Sequence, residues 1–213
     1  IEKEDGNSEI EKLREENKIQ MNFPETNTDL VFQRIPKDSP EAMVDFMWTD
    51  ALFNLGNCEI ELKSKIGIGH PDILLRYYDK LGDKYIWMLG EYKKDIKQEP
   101  NAIAQLLMYL GNFFYDTSIE GVDNLGGIFI ASGNHFRLIQ PIKVFGIMNK
   151  FEYLWKKYFR VRPCDAYEEV EIREFVQENS PELLEDSLLI KRYVNKARLD
   201  EIIKSIYKEW NLL

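Results

Sequence analysis

The sequence predicts an α/β protein: an αβββαβ core with a mixed sheet, followed by a mostly α-helical C-terminal region. Three observations predict it. Residues 39–55 and 99–116 place apolar side chains at helical spacing. Between them, residues 58–93 change to a period of two, interrupted by short Gly-containing turns. Beyond them, LGGIFIA at 125–131 is a continuous apolar run of the kind a buried strand carries.

The elements follow in order. Residues 1–38 read as an N-terminal tail and a surface helix. That helix, 8–20, opens with a Ser-x-x-Glu capping box from Ser8 to Glu11 and has little to bury. In SPEAMVDFMWTDALFNL, Ser39 suits an N-cap, Pro40 the first helical position and Gly56 the stop. CEIELKSKI (58–66), DILLRYYD (72–79) and KYIWMLGEYK (84–93) form a three-strand meander. The helix at 99–116 carries Ile103, Leu106, Leu107 and Leu110 as its apolar stripe. HFRLIQPI (135–142) pairs back on 125–131 as a hairpin. From 147 the pattern reads as helix over 147–160, 168–179, 181–193 and 196–211. The core therefore spans 39–145, and 146–213 is a helical region packed on or beside it.

The chain has 213 residues and a net charge of −9. That sign argues against a surface that coats nucleic acid as a whole, and leaves room for a local basic groove. The acids are concentrated: residues 1–17 hold seven against three bases, and 165–186 hold nine against Arg173 alone. Such acidic or amphipathic segments suit a protein partner. Two cysteines offer neither a disulfide framework nor a zinc site, so an intracellular reducing compartment, cytoplasm or nucleus, is expected. No apolar run approaches the roughly 18–20 residues of a membrane span, and no membrane association is expected.

The residues that carry chemistry sit at strand ends. Pro71-Asp72 opens the second strand, and Glu91-Tyr92-Lys93 closes the third. Two carboxylates on adjacent strands can hold Mg²⁺, which takes hard oxygen ligands, and the Tyr92 carbonyl offers another oxygen. A lysine two residues after the glutamate lies on the same strand face, where it can orient water and offset phosphate charge. Gln105 and Tyr109 stand one turn apart on the next helix.

This arrangement resembles the PD-(D/E)xK nuclease superfamily, with its restriction-endonuclease-like fold. The Gln-x-x-x-Tyr spacing is similar to that of RecB-like nucleases and of type I restriction nuclease domains. The resemblance covers roughly residues 39–142. It implies a Mg²⁺-dependent endonuclease, with Mn²⁺ able to substitute and DNA preferred to RNA. It implies Asp72, Glu91, Lys93, Gln105 and Tyr109 as catalytic residues. Asp72, Glu91 and the Tyr92 carbonyl would hold metal, joined by an acid of the first helix: Asp45 first, Glu41 second. The alternative for Asp45 is a solvated helix face. His70 reads first as a loop residue, with contact to a phosphate or a metal as the alternative. Lys63, Lys65, Arg76, Lys93, Lys94 and Lys97 form one basic group, and Lys156, Lys157, Arg160 and Arg162 another; each could line a phosphate groove or merely face solvent. The competing expectation is an inactive member of that fold serving as a protein- or nucleic-acid-interaction module within a larger protein; a third is one domain of a larger protein in which the acidic stretches cover the groove until a partner arrives.

Overall fold

The computed structural model describes residues 41–53, 58–63, 69–78, 82, 84–115, 124–133 and 135–191. The helices expected at 8–20 and 196–211 lie outside the described residues, as does Lys65. Helix α1 spans Glu41–Phe53. The meander follows as β1 (Cys58–Leu62), β2 (Ile73–Tyr78) and β3 (Tyr85–Tyr92). A 3-10 turn, Ile96–Gln98, is capped by Asp95, whose carboxylate accepts from Lys97 N at 3.0 Å. It leads into α2, Glu99–Tyr115. Then come β4 (Leu125–Ser132), β5 (His135–Ile139), α3 (Pro141–Lys150), α4 (Glu152–Lys157), a 3-10 segment Pro163–Glu168, α5 (Val170–Leu184) and β6 (Leu188–Lys191).

The strands form one six-stranded mixed sheet in the order β1-β2-β3-β4-β5-β6. Among the described strands only β3 and β4 run parallel, with α2 as their crossover. The sheet separates two apolar layers. On one face Ile73, Leu75, Met88 and Tyr92 pack with Val44, Trp48 and Leu52 of α1. On the other, Leu74, Trp87, Leu89 and Ile130 pack with Ile103, Leu106, Leu107 and Leu110 of α2. Each fully buried side chain of this size contributes about 1.5–3 kcal/mol against exposure. Trp48 also donates its indole N–H to the Ser132 carbonyl, which fastens α1 across the end of β4.

The C-terminal helices join the second layer: Leu154, Trp155, Ile172, Phe175, Val176 and Leu183 share the cluster built around α2. This half differs from the sequence expectation in three places. The strand read to 142 stops at Ile139, because Pro141 has no N–H for a ladder and starts α3 instead. The helix read over 147–160 is two pieces, α3 and α4, joined at Phe151. The helices read over 168–179 and 181–193 are one helix that runs through Pro181 and ends at Leu184. Pro181 leaves one carbonyl of its own turn without a donor. Beside it Asn179 and Ser180 bond back to the carbonyls of Phe175 and Val176. Asp186, at φ 58°, turns the chain out of the helix. Leu188–Lys191 then pairs antiparallel with β5, whose free edge supplies the backbone hydrogen bonds that a further helical turn would otherwise provide. An Arg137 guanidinium ties this corner together, pairing with Glu99 at the start of α2 and donating to Ser187 Oγ at 2.7 Å.

Candidate functional site

The strand register assembles the site. Ile73 lies opposite Gly90 and Leu62 opposite Ile73. One step further along the same ladders sets Lys63, Asp72 and Glu91 in a row across three strands. Alternation puts Asp72 and Glu91 on the face of Leu74 and Leu89, which is the face that α2 covers. Asp72 Oδ2 accepts the Tyr92 backbone N–H at 2.9 Å, so its carboxylate is held against the end of β3. Asp72 also lies within hydrogen-bonding reach of Glu91. Lys93 Nζ donates to Glu91 Oε2 at 3.1 Å, and both side chains are buried.

This placement is electrostatically costly. Burial pushes the Glu91 carboxyl up from its ordinary value to about 8; the charge of Asp72 adds to the rise, and Lys93 only partly opposes it. The Tyr92 phenol is raised by burial and by the charges of Asp72 and Asp45, although its hydroxyl contacts Thr49 of α1 at 3.0 Å. For the Lys63 ammonium, burial lowers the pKa, but the bond to Asp72 and the charges of Asp72, Asp45 and Glu91 outweigh it, and the net shift is upward. Asp45, half-buried on α1, contributes to both of these shifts. Of Glu41 the structure describes only the helical backbone.

From α2, the Tyr109 hydroxyl donates to the His70 carbonyl at 2.8 Å. Burial raises its pKa, and the charges of Glu91 and Asp72 raise it further. Tyr109 thus secures the loop that carries Asp72. A Cβ on Gly69 would meet the Tyr109 ring at 2.6 Å and Pro163 at 2.8 Å, so the loop is closely packed on α2 and on the 163–168 segment. Tyr109→Phe removes one hydrogen bond and is expected to cost about 1 kcal/mol in urea unfolding. Gln105, one turn earlier, is buried, and its Oε1 has no hydrogen-bond partner among the described residues. His70 is exposed, and its Nδ1 lies 2.8 Å from the Lys63 carbonyl.

The basic groups expected from sequence separate. Lys63 and Lys93 reach the two carboxylates. Arg76 turns to Glu59 and Glu61 of β1, and Lys94 and Lys97 are exposed. Lys156, Lys157 and Arg162 pair with Glu152, Glu171 and Asp165. Two features escaped the sequence reading: the Lys63–Asp72 pair, and the Glu99–Arg137 pair that anchors the start of α2. Both depend on long-range register rather than on local pattern.

Among the described residues no three His, Cys, Asp or Glu side chains converge as a ready-made metal cluster. The donor chemistry nonetheless fits a divalent cation. Two adjacent carboxylates, one of them buried and pushed toward the neutral form by the other, are relieved when a cation lies between them. The sign of the metal-free pH dependence follows. From the ordinary carboxylate value of 4.5 up to about 8, the folded chain keeps a proton on Glu91 that the unfolded chain releases. The stability contributed by that proton is complete at low pH and is lost as pH rises through the window. In EDTA, wild type is expected to melt progressively lower than Glu91→Gln from about pH 5 to about pH 8. A constant difference in melting temperature across that range would contradict the shift.

A comparison of the chain with protein-family models, curated proteins and solved structures finds no match.

Proposed function

We propose that the chain is a metal-dependent endonuclease of the PD-(D/E)xK type, hydrolysing phosphodiester bonds, with DNA as its preferred substrate and Mg²⁺ or Mn²⁺ as its cofactor. The observation that carries this reading is the Asp72–Glu91–Lys93 constellation at the paired ends of β2 and β3. A core of helix, antiparallel meander, crossover helix and parallel strand supports it. Asp72 and Glu91 would hold the cation, with the Tyr92 carbonyl and Asp45 as further oxygen donors. Bound there, the cation supplies Lewis-acid polarisation of the phosphate and lowers the pKa of a bound water. Lys93, held on Glu91, orients the attacking water and offsets charge that develops on the phosphoryl oxygens. Gln105 offers a buried amide toward the substrate backbone. Tyr109 acts by holding the Pro71-Asp72 loop in place.

A second reading has its own observation. Lys63 on Asp72 and Lys93 on Glu91 give each carboxyl a lysine partner without any cation, as an inactive interaction module of this fold would allow. Cleavage of single- and double-stranded DNA and RNA by wild type and Asp72→Asn, in Mg²⁺, Mn²⁺ or EDTA, separates the two. Metal-dependent cutting by wild type that Asp72→Asn lacks supports the nuclease. Folded wild type that neither cuts nor takes up Mn²⁺ supports the module.

A further inference from the structure

Lys63 is placed more firmly than an exposed lysine needs to be. It follows β1 with a φ of 52°, in the left-handed region that non-glycine residues seldom enter. Its N–H donates to the Asp72 carbonyl at 3.2 Å, and its own carbonyl meets His70 Nδ1 at 2.8 Å. Its ammonium pairs with Asp72 Oδ1 while the side chain stays 57% exposed. The same ammonium lies in the field of Asp45 and Glu91. These three carboxylates are the ones assigned to the cation.

We infer that Lys63 is a tethered counter-ion that competes with the divalent cation for Asp72 and so sets the metal affinity of the site. The inference rests on the metal-dependent reading proposed above. A cation bound to Asp72 must displace the ammonium from Oδ1, because two positive charges at one carboxylate repel. Displacement is feasible because the lysine is on a flexible stem that opens to solvent. Once displaced, the ammonium remains beside the site with its charge unpaired. A phosphodiester then provides its new partner, so a nucleic acid backbone and the cation favour each other's binding. Lys63 is thus a positioning residue for substrate and a competitor for metal, whereas Lys93, buried on Glu91, serves the chemistry.

Two effects of removing the charge have the same sign. Lys63→Gln no longer has to be displaced, and no longer repels the cation after it binds. Calorimetric titration of the full chain with Mn²⁺ at fixed pH and low salt is expected to show Lys63→Gln and Lys63→Met binding about three- to fivefold more tightly than wild type. Lys63→Arg, which retains the charge, is expected to stay within about twofold of wild type. Asp72→Asn should lose binding. Unchanged or weaker binding by both neutral variants, with Asp72→Asn still abolishing it, would overturn the counter-ion role and leave the metal site standing. Absence of Mn²⁺ uptake by folded wild type and by both neutral variants overturns the metal site as well.

Discussion

Asp72→Asn and Glu91→Gln are expected to lower the rate of Mg²⁺-dependent cleavage by about a thousandfold or more, since removing even a group that merely supports a metal ligand costs 10- to 100-fold. The amide variants are the informative ones. Asp72→Ala removes the acceptor of the Tyr92 N–H, and an unpaired buried donor costs about 1–3 kcal/mol. Glu91→Ala leaves the buried Lys93 ammonium without its partner. The amides keep an acceptor in each place and remove only the charge that a cation needs. Both should therefore remain folded, and Glu91→Gln should gain stability at neutral pH because its site no longer resists ionisation. Initial rates on a plasmid or oligonucleotide substrate, paired with thermal melts, check both halves. Cleavage that survives either amide at wild-type rates would move the chemistry elsewhere.

The juxtaposition of the candidate residues is legible in the sequence wherever strand position determines it. Asp72 and Glu91 were readable because the meander's short turns leave little choice of register, and a charge at the buried end of an apolar strand stands out. Lys93 followed from alternation. The helix carrying Gln105 and Tyr109 was legible from its apolar stripe, all of which is buried. What Tyr109 bonds to was not legible: its hydroxyl meets a backbone carbonyl in a loop 39 residues earlier, a contact no local pattern encodes. In sequence Lys63 is indistinguishable from the neighbouring bases, because its link to Asp72 depends on how β1 ends rather than on composition. The second half of the fold was read less well for a related reason. LLIK at 188–191 suits a helix or a strand, and only the open edge of β5 decides between them. Pro181 would normally mark a helix end, yet α5 continues because its apolar side chains on both sides of the proline are buried in the α2 layer.

Gly90→Ala is expected to destabilise the fold by about 3 kcal/mol and to disturb the candidate site without touching Asp72, Glu91 or Lys93. Gly90 lies opposite Phe129 across the parallel ladder, and the Phe129 ring covers it. A Cβ at position 90 would come within 2.1 Å of the ring. The ring cannot move aside easily. It is fully buried and stacks on Phe136 at 5.2 Å, and Phe136 in turn packs on Trp48 of α1 at 5.4 Å. The strain must then be taken up by β3, and the next residue along β3 is Glu91. Any shift there separates the Glu91 carboxyl from Asp72 and weakens the site from the opposite face of the sheet. A double-mutant cycle tests this route. Phe129→Leu removes the far edge of the ring, so the penalty of Gly90→Ala should fall by more than about 1 kcal/mol in that background. Mn²⁺ affinity should recover with it. If the two substitutions add independently, Gly90 acts through strand propensity alone, and the packing of α1 has no hold on Glu91.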